Sequence, residues 1–83
     1  MHGATLNHAV VMGRGGAHLR GDIRTSAGTR LDFVGFNLVG TPVGNFLLDD
    51  ANINTKMMVL GRLKENSYNG RVSAQFILED IAI

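Results

Sequence analysis

The sequence predicts a small, mainly β protein with one short helix. Glycine punctuates the chain, and between the glycines apolar residues mostly alternate with polar ones, as they do in half-buried strands. Apolar residues at helical spacing occur in one stretch, after Thr41 and Pro42. The pair Asn69 and Gly70 is typical of a tight hairpin connection. Together these features indicate five strands, with the helix between the third and the fourth.

Length and composition limit the classes of protein to which this chain can belong. Its 83 residues predict a single domain, residues 1–83, and the absence of cysteine means that packing alone must stabilise it. The formal net charge of +1 does not by itself indicate a polyanionic partner. Apolar runs are too short to cross a bilayer, and no secretory signal pattern is present. We therefore expect a cytoplasmic protein with no membrane partner.

The first three strands are predicted to form a meander. They cover residues 8–12, 17–25 and 30–37, and the glycine-rich bend 13–16 and the turn 26–28 separate them. In the second and third strands an apolar residue or a glycine occupies every second position. Because successive side chains of a strand point to opposite faces, we expect these positions to face the core.

The helix has a recognisable start. Thr41 is a good N-cap, and Pro42 suits the first helical position. About nine residues are expected to be helical, ending near Asp49 and Asp50. Negative charges are unfavourable at the negative end of a helix, so we expect the last turn to fray.

The last two strands are predicted to form a hairpin. They cover residues 56–65 and 71–81. Three strands, a helix and a hairpin is the element order of the OB-fold, a five-stranded Greek-key barrel that binds single strands or oligosaccharides. A small SH3-like barrel is the alternative, but it does not usually carry a helix between its third and fourth strands. The sequence therefore favours the OB-fold.

Three cations surround the predicted hairpin turn. Alternation places Arg62 and Lys64 on one face of the fourth strand, and the tight turn brings Arg71 close to the end of that strand. With Glu65 as the one nearby carboxylate, these cations would attract phosphates, and binding would weaken as salt increases. The alternative is that they are ordinary solubilising charges, which discourage pairing between strand edges.

Two aromatic residues are candidates for stacking on bases. Tyr68 is predicted to lie in the hairpin turn, where stacking of a base would be worth about 1–3 kcal/mol. The alternatives are an exposed turn residue or a ring folded back on its own hairpin. Phe36, at the end of the third strand, could be a second stacking platform, but a core position under the helix is the favoured assignment.

The second strand could extend the basic surface. Arg14, Arg20 and Arg24 would form a track across it. Asp22 lies on the same face between the last two, so pairing among these side chains is the alternative, and surface pairs of this kind contribute little to stability.

Neither a metal site nor a catalytic site is expected. No second histidine or carboxylate lies at ligand spacing from His18, which we interpret as a hydrogen-bonding strand residue. Gln75 is interpreted as a partner of buried backbone rather than a reader of bases. Glu79 and Asp80 are adjacent, so they should face opposite sides unless the strand bulges there. We expect no catalytic residue and no cofactor in this chain.

Motifs along almost the whole chain carry a family resemblance. They are the glycine-rich bend followed by His18 and Leu19, the helix start at 41–44, Gly61 to Leu63, and then Asn69, Gly70, Arg71, Gln75, Glu79 and Asp80. In order and spacing these motifs resemble the C-terminal OB domain of RecJ, the family of single-strand-specific DNA exonucleases.

This resemblance implies a non-catalytic module that binds single-stranded DNA with a basic hairpin. The parent would be a larger 5′-to-3′ exonuclease of DNA repair and recombination, with manganese or magnesium in other domains. The expected partners are single-stranded DNA and those other domains. The alternative function is structural: the barrel packs on neighbouring domains with little nucleic-acid contact. Met57, Met58, Ile81 and Ile83 are consistent with this role, because alternation puts the two methionines on opposite faces and one of them can therefore be exposed as part of an apolar patch.

Overall fold

The described part of the chain forms five strands, one helix and a short 3-10 turn. The computed structural model describes residues 1–13 and 15–83, and of Asn66 and Tyr68 it describes the backbone alone. The elements are β1 (Ala4–Met12), β2 (His18–Arg24), β3 (Arg30–Gly35), α1 (Pro42–Leu48), the 3-10 turn Asp50–Asn52, β4 (Lys56–Tyr68) and β5 (Arg71–Ala82).

The strands close into a barrel in the order β1-β2-β3-β5-β4. The first three form the predicted antiparallel meander, β3 pairs in parallel with β5, and β4 pairs with β5 and with β1 in antiparallel fashion. This closure, with α1 between β3 and β4, is the Greek-key barrel of the OB-fold. The predicted fold class is confirmed.

The first strand begins four residues earlier than predicted, at Ala4 rather than His8. Ala4 and Leu6 are completely buried, and the pairing with β2 shifts register between Leu6 and His8. Because of this shift, the alternation of residues 8–12 is out of phase with that of residues 4–6. The sequence pattern therefore did not reveal the earlier start of the strand. Opposite this shift β2 passes very close: a Cβ at Gly21 would overlap the carbonyl oxygen of His8.

A single apolar cluster fills the barrel. Its largest fully buried side chains come from four strands, and they are Leu6, Leu19, Ile23, Phe33 and Val59. Leu47 of α1 packs into the same cluster, so the helix closes the barrel against this core. The inward positions predicted for β2 and β3 are confirmed.

The helix begins as predicted but ends earlier. Thr41 Oγ1 accepts a hydrogen bond from the Gly44 N–H at 3.1 Å and donates one to the Leu38 carbonyl at 2.6 Å. The helix is seven residues long rather than about nine. Asp49 Oδ1 accepts from the Ala51 N–H at 3.0 Å and so caps the 3-10 turn. The aspartates start a new turn instead of fraying the old one.

The hairpin is longer than predicted, because β4 continues to Tyr68 rather than ending at Glu65. The turn consists of Asn69 and Gly70 alone, both with positive φ (50° and 76°), as the sequence indicated. Tyr68 therefore ends the strand, where its backbone pairs with Arg71, and does not lie in the turn. The pairing of β3 with β5 reaches only from Gln75 to Ile77. Residues 65–74 consequently extend past the barrel as a two-stranded ribbon.

Candidate nucleic-acid interface

The register of the hairpin places the three predicted cations on one face. Directly opposed residues of an antiparallel pair share a face, and the pairs Arg62 with Ile77, Lys64 with Gln75, and position 68 with Arg71 are separated by even numbers of residues. Arg62, Lys64 and Arg71 therefore lie on the same side, which we call the basic face. The predicted common face of Arg62 and Lys64 is confirmed, and the register adds Arg71 to it. The contact of all three with nucleic acid stays a prediction.

The opposite face of the hairpin is apolar near the barrel. Leu63 pairs with Phe76, which is buried in the core, yet Leu63 itself is 61% exposed. Val72, on the same side and nearer the turn, is 69% exposed. The two faces of the ribbon thus differ in chemistry.

One of the three cations has a carboxylate partner. Leu60 pairs with Asp80 and Gly61 with Leu78, so Glu79 is the extra residue of a β-bulge. Its Oε1 lies 3.5 Å from Nε of Arg62, and both side chains are exposed. The interpretation of Glu65 as the one nearby carboxylate is therefore wrong. Within the described part of the chain, neither Lys64 nor Arg71 has a carboxylate within 4 Å.

Phe36 is exposed, so its favoured assignment to the core is wrong. The strand β3 ends at Gly35, and the chain turns at Asn37, which has a φ of 58°. The alternation therefore stops before Phe36. Leu38 packs against Gly35 instead, and the Phe36 side chain remains 52% exposed. The exposed Phe36 ring is therefore accessible to a base that stacks on it.

His18 holds the Phe36 ring from one side. The two ring centroids are 5.5 Å apart at an interplanar angle of 77°, an edge-to-face contact. Nδ1 of His18 also accepts a hydrogen bond from the backbone N–H of Asn37 at 2.9 Å. Its prediction as a hydrogen-bonding strand residue is confirmed, and it fixes the turn that carries Phe36.

Phe36 and two of the cations line one open groove of about 500 Å³. The groove is lined by Phe36, Arg62, Leu63, Lys64, Glu65 and Ile77. An aromatic ring beside a guanidinium and an ammonium group can stack a base while the cations hold the neighbouring phosphates. Arg71 lies six residues from Ile77 along β5, or about 20 Å, so it would meet a phosphate further along the strand.

The arginines of β2 extend this surface. Asp22 Oδ2 lies 3.0 Å from Nε of Arg30, and Asp32 Oδ1 lies 3.1 Å from Arg30, so neither Arg20 nor Arg24 takes part in the predicted pairing. The reason is the register: Asp22 lies opposite Asp32, and Arg30 is within reach of both. Arg30 lies two residues before Asp32 on the same face of β3, and this spacing is the signal in the sequence for their pairing.

Arg20 lies in the same cross-strand row as Arg62. It pairs with Val34, which pairs with Ile77, which in turn pairs with Arg62. No carboxylate of the described residues approaches Arg20 or Arg24 within 4 Å. The side chains of Arg14 and Tyr68, by contrast, lie outside the described residues, so their predicted contacts stay predictions.

The described residues contain neither a metal-binding cluster nor a helix that could span a membrane. In residues 1–13 and 15–83, no three histidine, cysteine or acidic side chains are grouped so that they could hold a metal ion. No helix in this part of the chain has the length and apolar character needed to cross a membrane.

Comparison with known proteins identifies the family. A sequence model of the RecJ OB domain matches residues 1–80. The chain belongs to the RecJ OB domain family. No curated protein and no solved structure matches it. The resemblance predicted from the sequence is thus confirmed, and a RecJ OB domain is an oligonucleotide-binding module rather than a catalytic one.

Proposed function

We propose that this RecJ OB domain binds single-stranded DNA for a 5′-to-3′ exonuclease of DNA repair and recombination. The observation that carries the proposal is the common face of Arg62, Lys64 and Arg71, which adjoins the exposed ring of Phe36. Two of these cations have no carboxylate within 4 Å among the described residues. They are therefore available to phosphates.

A strand on this surface would follow the ribbon and continue over the barrel. The cations of the basic face would contact phosphates along the strand, a base would stack on Phe36, and Arg20 would continue the row on β2. Such contacts read the backbone and the π-face of a base, both of which every nucleotide offers. The basic face is thus suited to binding without strong sequence preference.

The reaction itself would take place elsewhere in the enzyme. No metal-binding group is found among the described residues, so the manganese or magnesium of a RecJ-like nuclease would be held by other domains. The role of this domain would be to keep a cytoplasmic single strand in place while those domains cut it.

Fluorescence anisotropy with a labelled single strand tests the proposal. The test variant combines Arg62→Ala, Lys64→Ala and Arg71→Ala, which lowers the net charge by three. The control combines Lys56→Ala, Asn45→Asp and Ala51→Glu, exposed positions at the start of β4 and in the helical segment, with the same loss of charge. The comparison separates the basic face from a general effect of charge.

The test variant should lose most of its affinity, while the control should keep most of it. The dependence of log K on log salt should also fall, because each neutralised phosphate contributes a slope of about −0.7. All three test side chains are exposed, and the Arg62 to Glu79 pair is a surface pair, so the variant should remain folded by circular dichroism. Equal affinity of both variants would refute the proposed interface.

A second candidate function is the packing of other domains against the ribbon. Of the two methionines expected on opposite faces, Met57 is buried, with only 3% exposed, and Met58 is half-buried. The exposed apolar residues Leu63 and Val72 lie instead on the ribbon side opposite the basic face. Sedimentation velocity distinguishes the two functions: self-association that Leu63→Ser abolishes, without oligonucleotide binding, would favour the packing role.

A further inference from the structure

The outer surface of the barrel holds a second groove, and it carries charges of both signs. Its volume is about 280 Å³. The groove is lined by His8, Val10, Arg20, Gly21, Asp22, Arg30, Asp32, Phe33 and Gln75. This is close to the lower limit of about 300 Å³ for small-molecule pockets, so its size suits one small ring system rather than a chain.

The groove adjoins the basic face through a continuous cross-strand row. Asp22 pairs with Asp32, Asp32 with Gln75, and Gln75 with Lys64. Gln75 is half-buried on this outer surface, and its side chain makes no hydrogen bond to the described residues, so its interpretation as a partner of buried backbone is wrong. A nucleotide whose phosphate lies near Lys64 would have its base next to this row.

The polar atoms of the groove are only partly paired within the chain. Asp22 uses Oδ2 for Arg30 and for Asn7, and Asp32 uses Oδ1 for Arg30. The second oxygen of each carboxylate has no hydrogen-bond or ion-pair partner among residues 1–13 and 15–83. The groove therefore presents two unused acceptor oxygens, the amide of Gln75 and the guanidinium of Arg20.

The polar groups of this groove favour a base over a phosphate. Carboxylates beside the groove repel a phosphate, and an ionised carboxylate can only accept hydrogen bonds. Guanine offers a ring N–H and an exocyclic amino group side by side, whereas thymine offers one ring N–H. The acceptors O6 and N7 of guanine are those that arginine commonly contacts.

We propose that the groove between β1, β2, β3 and β5 is a nucleobase subsite that prefers guanine to thymine. The subsite rests on the proposed function, since the basic face must first hold the strand. Asp32, whose side chain is 59% exposed, would accept from the ring N–H and the amino group, and Arg20 with Gln75 would contact the opposite edge. The domain would then combine unspecific backbone contacts with one selective position.

Anisotropy with three strands that differ in one base tests this subsite. The probes are a short thymidine strand of about nine nucleotides, within the site size of an OB-fold, and the same strand with a central deoxyguanosine or deoxyinosine. Deoxyinosine keeps the ring N–H and O6 but lacks the amino group. The variants are Asp32→Asn and, as a control of equal charge change, Asp50→Asn on the exposed 3-10 turn.

The wild-type domain should bind the guanosine strand at least about fivefold more tightly than the thymidine strand, the lower limit for a good two-bond contact to a base. Inosine should fall between them. Asp32→Asn should bring the guanosine-to-thymidine ratio close to one, and Asp50→Asn should leave it unchanged.

The outcomes separate the two proposals. Equal affinity for guanosine and thymidine strands in the wild type, or a ratio that Asp32→Asn does not change, would overturn the subsite while the basic face stands. Failure of every strand to bind would overturn the proposed function as well. Because Asp32 is exposed and Asp22 remains beside Arg30, the variant should fold, which circular dichroism checks.

Discussion

At the scale of single residues, Phe36 illustrates how a strand boundary decides the environment of a side chain. The alternation of β3 places Phe36 on the outer face with Arg30 and Asp32, and the strand ends just before it at Gly35. The chain then turns, and His18 contacts the ring edge-on. A large apolar side chain that remains half exposed beside two cations is a candidate for stacking rather than for the core.

Replacement of Phe36 tests this role without a large effect on folding. Phe36→Ala should weaken single-strand binding by about 5- to 150-fold, because stacking on an aromatic side chain is worth about 1–3 kcal/mol. The free energy of unfolding should change by less than about 1.5 kcal/mol, since the ring loses little more than its edge contact. Anisotropy and urea denaturation measure the two quantities.

Phe36→Tyr is the matched control, because it keeps an aromatic face at the same position. Its affinity should remain within about threefold of the wild-type value, a small part of one stacked base. If Phe36→Ala bound single strands with wild-type affinity, Phe36 would not be part of the interface.

Single residues also show which features of the site the sequence could predict and which it could not. Alternation correctly places Arg62 and Lys64 on one face, since that depends only on strand geometry. The partner of Arg62 could not be predicted, because it depends on a bulge that turns Glu79 into an extra residue. Likewise, the pairing of Asp22 with Arg30 depends on the register between two strands.

At the scale of elements, α1 is positioned by its cap and by one close backbone contact. Thr41 caps the first turn, and a Cβ at Gly44 would overlap the carbonyl oxygen of Leu38. The cap was visible in the sequence because it requires one of a few residue types at one position. The close contact was not, because it arises only when the segment before the helix packs against it.

This contact predicts that Gly44→Ala lowers the free energy of unfolding, opposite in sign to the effect of helix propensity. Helix propensity alone would stabilise the variant by about 1 kcal/mol. Overpacking against backbone that cannot rotate away costs about 1–3 kcal/mol or more, so we expect a net loss. Urea and thermal denaturation measure it, with about 4–8 °C per kcal/mol for a domain of this size.

Asn45→Ala provides the comparison on the next residue of the same helix. Asn45 is exposed, so propensity should dominate and the variant should be as stable as the wild type or up to about 0.7 kcal/mol more stable. If Gly44→Ala were stabilised as much as Asn45→Ala, the close contact would not constrain the helix.

At the scale of the whole molecule, the order of elements was enough to predict the barrel. Three strands, a helix and a hairpin leave few ways to close a small sheet, and the observed pairing of β3 with β5 is one of them. The extension of the ribbon past the barrel could not be predicted, because the sequence does not show where β3 stops pairing with β5. That extension separates Arg71 from the other two cations of the basic face.

Because the net charge is only +1, binding of nucleic acid must depend on one local surface rather than on the charge of the whole domain. The central claim is that this surface is the ribbon and its groove. A titration of the isotopically labelled domain with single-stranded DNA, followed by backbone amide chemical shifts, tests it most directly. We predict that shifts change in residues 62–77 and 36–37 while those of α1 (Pro42–Leu48) stay constant. Changes concentrated in α1, with none on the ribbon, would contradict the account.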